Sequence, residues 1–300
     1  MSRLSIETRD LGRRFGEHWA VRHLDLRVPE GAVFGLLGRI GAGKSTTVRM
    51  LLGMLHPHEG EMRLAGFDPM RDHAEAVRDV GFAGEDMGPS PGWTVRRVLD
   101  FSSWVYDDWD AGRAEALRGQ FALPLEQRVD GLLPGQRSRL GLLLALVRRP
   151  KLLLLDEPFR GLDRPVREEI AHRLVDVTPA SRSTVFVTSS RIHDLDWIVD
   201  YLAVIHEGRI RFTGTFEEFR VSIRRVRLVA REATLELTSF PWVRSSHDVG
   251  NGRQVALIDY SHEHLKTLKS TGFEIESVET MTAEEVSAEY LGQQGNVIAA

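Results

Sequence analysis

Residues 38–46 read Gly-Arg-Ile-Gly-Ala-Gly-Lys-Ser-Thr, between the apolar run Val33-Phe34-Gly35-Leu36-Leu37 and a second apolar set at Val48, Met50, Leu51 and Leu52. Glycines at this density let successive backbone N–H groups curl round an anion without Cβ clashes. The helix expected after them points its positive end at the same place. Gly38, Gly43, Lys44 and Ser45 meet the spacing of a phosphate loop set between a strand and a helix. Lys44 supplies a point charge for β- and γ-phosphates, and Ser45 a hydroxyl for Mg²⁺. The whole run (Gly38, Arg39, Ile40, Gly41, Ala42, Gly43, Lys44, Ser45 and Thr46) is thus the expected nucleotide cradle.

A second pair of chemical groups follows the run Leu152-Leu153-Leu154-Leu155, which ends in Asp156-Glu157. Such a run suits a strand buried on both faces of a parallel sheet. It delivers Asp156 to the carboxyl edge of the sheet, where ligands bind in open α/β folds. Asp156 can hold Mg²⁺ through water, and Glu157 can orient and polarise an attacking water. Taken alone, the pair also fits a strand ending in a solvated loop; the phosphate loop upstream favours the chemical reading.

The elements that must position these groups alternate. Strand-like runs and turns occupy residues 1 to about 37, with Pro29-Glu30-Gly31 as a turn. Val48, Leu51, Leu52 and Leu55 fall at helical spacing. Gly84, Gly88, Pro89, Pro91 and Gly92 read as loop, and residues 94–149 as several helices, the last ended by Pro150. A helix is expected over Val166–Val177, and strands over Thr184–Val187 and Leu202–Ile205. Alternation of this kind predicts a mostly parallel, helix-covered sheet. The pattern changes near residue 223. Val226–Val229, Thr234–Leu237 and Gln254–Ile258 read as strands, Asn251-Gly252 as a hairpin turn, and Glu263–Leu268 and Thr282–Leu291 as helices, the second with a capping box at Thr282 and Glu285.

The formal net charge of −4 gives no electrostatic case for nucleic acid or an anionic membrane surface. The absence of cysteine excludes disulfides and thiolate chemistry. The charged N-terminus does not read as a signal peptide, and the most apolar stretch, Leu140–Val147, is too short to span a bilayer. A cytoplasmic chain is expected, with any membrane work carried by another subunit.

From about residue 4 to 220 the ordered motifs resemble the ATP-binding subunits of ABC transporters. Phe15 matches the aromatic that stacks on adenine in that family, and residues 38–46 its phosphate loop. Glu85 falls where the family has a glutamine linking Mg²⁺ to the transporter contact. Leu132–Gln136 falls at the LSGGQ motif, Asp156 and Glu157 at the Mg²⁺ and catalytic carboxylates, and Asp163 in the loop meeting the partner subunit. Ser190 sits at the γ-phosphate histidine. The resemblance implies a P-loop NTPase with a RecA-like core and a helical subdomain, here about 86–150. The ATP-binding domain then covers 1–222, and a small C-terminal α+β domain with a tail covers 223–300. It further implies ATP and Mg²⁺ as ligands, with Ser45, Glu85 and Asp156 toward the metal. Gly135, Gln136 and Asp163 would face nucleotide across a head-to-tail dimer. The partners implied are a second ATP-binding subunit and a membrane-spanning permease, with the chain peripheral on the inner face of the membrane. The C-terminal part is similar to extensions on bacterial ABC-2 exporter subunits.

Four positions depart from the family pattern. Leu133 replaces the LSGGQ serine, and Pro134 removes a backbone donor while favouring a helix start. Ser190 offers a shorter, uncharged donor in place of histidine; His193 beside it reads as an exposed histidine on a helix. Glu85 replaces glutamine and keeps an oxygen for Mg²⁺. Ile40 replaces asparagine, with its side chain outside the backbone cradle. Since the departures fall on groups reading the γ-phosphate, weak hydrolysis as a homodimer is expected, and a heterodimer would supply a better LSGGQ helix. The other readings are a slow or non-hydrolysing ATP-gated regulatory subunit and a soluble ABC-type ATPase of translation or DNA repair. Trp93, Phe101, Trp104, Tyr106 and Trp109 cluster in the helical insert, most of them expected as core and a minority at a groove for the membrane subunit.

Overall fold

A computed structural model describes residues 3–84, 92–162, 164–181, 183–231 and 236–292, with only the backbone described at 173 and 175–181. The chain divides into two compact units, Met1–Thr213 and Gly214–Ala300.

In the first unit, β1 (Leu4–Phe15) and β2 (His18–Pro29) form a long hairpin. β3 (Val33–Gly38) leads through the glycine loop to α1 (Lys44–Leu51), followed by β4 (Glu59–Leu64), α2 (His73–Val77) and β5 (Val80–Gly84). Three helices come next, α3 (Val95–Val105), α4 (Ala111–Gln120) and α5 (Pro134–Leu146). Then come β6 (Leu152–Asp156), α6 (Arg164–Ser181), β7 (Thr184–Ser189), β8 (Tyr201–His206) and β9 (Arg209–Thr215).

Two sheets result. One has the order β2-β1-β4 and is antiparallel; the other has the order β5-β6-β7-β3-β8-β9. In the second, β5, β6, β7, β3 and β8 pair in parallel, as the alternation of the sequence predicts. β3 and β7 are buried along their whole length, since helix-covered central strands meet apolar groups on both faces. Phe34 on β3 stacks with Phe186 of β7 and Tyr201 of β8 at 5.8 and 6.4 Å between ring centroids. One apolar cluster joins Ile6, Leu24 and Leu26 of the hairpin, Val48 and Leu51 of α1, and Leu152 and Leu154 of β6. The glycine loop is therefore anchored on both sides by a packed core.

The second unit adds α7 (Phe216–Val221), β10 (Ile223–Ala230), β11 (Val243–Gly250), β12 (Arg253–Asp259), α8 (His262–Ser270), β13 (Phe273–Thr280) and α9 (Ala283–Tyr290). Its strands form one antiparallel sheet, β11-β12-β10-β13. The predicted hairpin turn is present: Asn251 and Gly252 both have positive φ, 56° and 72°. The capping box of α9 is complete, with Thr282 Oγ1 accepting from Glu285 N–H and Glu285 Oε2 accepting from Thr282 N–H.

Three expectations are corrected. Gly84 belongs to β5, not a loop, because it continues the parallel pairing opposite Asp156; Gly88, Pro89 and Pro91 lie outside the described residues. The strand expected at Thr234–Leu237 is not continued by Leu237, which opens a short 3-10 turn that seats it in the core of the second unit; Thr234 and Leu235 lie outside the described residues. His193 lies in a single 3-10 turn, Ile192–Asp194, not in an α-helix. Among the described residues, no helix is long and apolar enough to cross a membrane.

Candidate functional site

The glycine loop closes tightly. Gly41 and Gly43 take φ of 83° and 108°, the left-handed region that glycine enters without a Cβ penalty. At Gly43 a Cβ would also stand 2.3 Å from the carbonyl oxygen of Ala20 on β2. Close approach of β2 and the sign of φ each require glycine there. Gly208 N–H, after β8, donates to Ala42 C=O at 3.1 Å and holds the loop from the other side.

Lys44, at the first turn of α1, is buried, and its ammonium has three partners. It donates to Gly38 C=O at 2.6 Å and Arg39 C=O at 3.0 Å. It also pairs with Glu157 Oε1 at 2.9 Å. The ammonium therefore sits inside the curl of the loop.

The parallel register of β6 and β7 sets Asp156 opposite Thr188. Thr188 Oγ1 donates to Asp156 Oδ1 at 2.7 Å and accepts from Glu157 N–H at 3.0 Å. One hydroxyl thus orients both acidic residues. Glu157 takes φ of 52°, which is unusual outside glycine and stores local strain. Its Oε2 accepts from Ser190 N–H at 3.2 Å and from Ser190 Oγ at 3.3 Å. Ser190 therefore already spends its hydroxyl proton on the carboxylate.

A cavity of about 300 Å³ is lined by Ile40, Gly41, Gly43, Lys44, Ser45, Thr46, Asp156, Glu157 and Arg160. The structure brings the two predicted groups, the loop and the carboxylates, into this one cavity. Ile40 is 75% exposed. Phe15 closes β1 at the hairpin tip and is exposed, with the Arg13 guanidinium 5.0 Å from its ring centroid. The same hairpin brings Ala20 and Val21 against Gly43. Glu85 and Asp163 lie outside the described residues.

At the altered LSGGQ stretch, Leu133 is the exposed residue before α5 and has no polar side chain to offer. Gln136 turns back and accepts from Leu133 N–H at 2.9 Å, half of a capping box. Gly135 faces α6: a Cβ there would lie 3.4 Å from Val166 Cγ1. None of the five aromatics of the insert is buried, against the expectation that most would be core. Helix α3 turns Val95, Val98 and Ser102 inward instead. Trp104, at 81% exposure, lies tilted against Phe101, which meets Trp93 edge to face, so the three rings form one cluster.

Three residues of this region were missed by sequence reasoning. Thr188 had no local signal, because its role depends on strand register. Arg160 had one, since it stands three residues after Glu157 and its N–H closes a turn on Glu157 C=O at 3.1 Å. Asp194 is buried and ties the loop of Ser190 to α6. It accepts from Ser189 Oγ at 2.8 Å, Arg191 Nη2 at 3.2 Å and Arg167 Nη1 at 2.9 Å.

A family model described as ABC transporter matches residues 21–160. The chain is 33% identical over 208 residues to the bacitracin transport ATP-binding protein BcrA of Bacillus licheniformis, covering 68% of each chain. It is 34% identical over 227 residues to the daunorubicin/doxorubicin resistance ATP-binding protein DrrA of Streptomyces peucetius, covering 73% of this chain and 68% of that one. Its fold is like that of a solved dimeric bacterial ABC transporter cassette, with a TM-score of 0.63 at 21% identity, covering 70% of this chain and 98% of the other.

Proposed function

We propose how this chain, which belongs to the ATP-binding subunits of ABC transporters, uses its phosphate cavity: Lys44 holds the β- and γ-phosphates of ATP and Glu157 polarises the attacking water. The chain is an ATP-binding ATPase subunit of the kind that drives transport through a separate membrane subunit. The observation that carries the residue assignment is the convergence of Lys44 Nζ and Glu157 Oε1 at 2.9 Å inside the cavity of the glycine loop.

In this reading the backbone of Gly41–Gly43 and the start of α1 hold the phosphate oxygens. Phe15 stacks on adenine; its exposure, at 49%, supports that role. Ser45 and Asp156 line the cavity with hard oxygen donors, which fit Mg²⁺, and Glu85 completes the set. Bound there, Mg²⁺ would neutralise charge on the β- and γ-oxygens. Thr188 keeps Asp156 and the backbone of Glu157 in place. Asp163 and the start of α5 at Gly135 and Gln136 are the segments that would meet the nucleotide of a second ATP-binding subunit. The cluster of Trp93, Phe101 and Trp104 docks a membrane-spanning permease, and the chain works on the cytoplasmic face of the membrane. Residues 1–222 are the ATP-binding domain, with the helical insert about 86–150, and 223–300 the small C-terminal domain.

Hydrolysis by a homodimer is slow. Leu133 presents no hydroxyl, and Ser190 is already engaged with Glu157. Loss of one preorganised donor to developing charge raises a barrier by about 2.7–4 kcal/mol. The same two observations favour the second reading, an ATP-gated subunit that binds with little turnover. Nucleotide binding by the purified chain and its Lys44→Ala variant tests the site. Steady-state phosphate release, alone and with a candidate partner subunit, tests the rate. Rapid release by the chain alone defeats the slow-hydrolysis reading, and unchanged ATP binding by Lys44→Ala defeats the site.

A further inference from the structure

We propose that Thr188 is a positioning residue: its hydroxyl locks the strained backbone of Glu157 and so keeps that carboxylate in the cavity, opposed to Lys44. The proposal rests on the ATP-site reading above and adds to it what aims the carboxylate.

Glu157 follows the last residue of β6 directly, so the strand fixes only what precedes it. Its φ of 52° lies in the left-handed region, where a non-glycine residue stays only if its surroundings hold it. Thr188 supplies the bond to the peptide itself. The parallel register of β6 and β7 brings it opposite Asp156, and it is fully buried. The N–H of Glu157 can only donate, so the Thr188 oxygen, at 3.0 Å, accepts. Its one proton then goes to Asp156 Oδ1 at 2.7 Å. The hydroxyl thus donates to one residue and accepts from the next, and burial keeps bulk water from taking either place. The β-branch stiffens χ1, which fixes the oxygen between the two.

The remaining grip on Glu157 is at the far end of its side chain. Lys44 Nζ meets Oε1 at 2.9 Å, and Ser190 N–H and Oγ meet Oε2 at 3.2 and 3.3 Å. These contacts go with the backbone pose that Thr188 holds. The side chain is a lever, so a small rotation at the backbone carries both oxygens away from Lys44 and Ser190. Without the hydroxyl, an orphaned N–H and an unfavourable φ both drive that rotation. The simpler role for Thr188 is to satisfy two buried groups. In that role its loss would act alike whatever side chain stood at position 157.

The test is a double-mutant cycle on the full chain: wild type, Thr188→Val, Glu157→Gln and the two combined. ATP affinity is read in metal-free buffer, which does not depend on turnover and leaves metal binding at Asp156 out of the measurement. Valine keeps the shape of threonine and removes the hydroxyl; Thr188→Ala repeats the cycle with a smaller side chain. On the ATP-site reading the carboxylate competes with ATP for Lys44, so releasing it should tighten ATP binding about threefold or more. In the Glu157→Gln background the same substitution should change affinity by less than about twofold. Thr188→Ser, which restores the hydroxyl, should return affinity close to that of the wild type. An affinity that is unchanged or lower in the wild-type background, or an equal shift in both backgrounds, overturns the proposal while leaving the ATP site standing. A wild-type chain that binds no ATP overturns the ATP site, and the proposal with it.

Discussion

Lys44 Nζ and Glu157 Oε1 lie 2.9 Å apart, with side chains only 5% and 11% exposed. The cation suited to phosphates and the carboxylate suited to water thus neutralise each other across the cavity. Such a pair is compensated where it stands, and each charge would be expensive if left alone. On the proposed reading, a triphosphate in the cradle would compete with Glu157 for Lys44, and its entry would free the carboxylate to face water. Binding and activation of the base would then be one event.

Glu157→Gln should therefore tighten ATP binding several-fold, because an amide competes poorly for the ammonium. Hydrolysis should fall by about 10²-fold or more, the usual contribution of a general base. Equilibrium binding and single-turnover assays on one preparation measure both. Weaker binding by this variant would show that the pair does not compete with nucleotide.

Gly43→Ala and Gly41→Ala separate strain from collision. Both positions have positive φ, but a Cβ at Gly41 meets nothing within 4 Å, whereas at Gly43 it meets Ala20 C=O. Gly41→Ala should cost about 1–2 kcal/mol of stability from conformation alone. Gly43→Ala should cost more and lose nucleotide binding, since β2 or the loop must move. Chemical denaturation and nucleotide titration rank the two.

Asp194→Ala removes the acceptor shared by Ser189, Arg191 and Arg167 and leaves Arg167 partly buried without it. A loss of about 3 kcal/mol is expected, as for one broken partner of a buried ion pair. Ser189→Ala should cost about 1 kcal/mol. Denaturant midpoints of the full chain check the order.

Glu289 in the second unit has a carboxyl pushed above its ordinary 4.5 by burial, with the Arg244 charge opposing. The folded chain thus holds this proton more tightly than the unfolded chain. Its contribution to stability is full below pH 4.5 and is lost as pH rises through the raised folded value. Glu289→Gln should remove that fall and stabilise the chain at neutral pH. Thermal unfolding of both chains across this range measures it; a pH profile unchanged by the substitution would contradict the assignment.

Much of the nucleotide cavity was legible because its parts are local. The loop is nine consecutive residues whose glycines act through backbone geometry and whose lysine supplies a charge within their curl, and Asp156-Glu157 follows directly from the apolar run that makes β6. Alternating apolar runs likewise exposed the parallel strands, the Asn251-Gly252 turn signal its hairpin, and the Thr282/Glu285 capping box the start of α9. What sequence could not reveal depends on strand register and packing between distant segments. Thr188 meets Asp156 only because β6 and β7 pair in one parallel register. Gly43 needs glycine partly because β2 passes beside it. Gly84 is strand because β6 lies alongside, and Leu237 leaves the strand pattern to fill a core. The aromatics of α3 face outward because Val95 and Val98 already occupy the buried side. Local spacing carries the chemistry of a loop, because its atoms are covalent neighbours. Which distant side chain orients, neutralises or covers them is decided only when the tertiary fold brings them within a few ångströms.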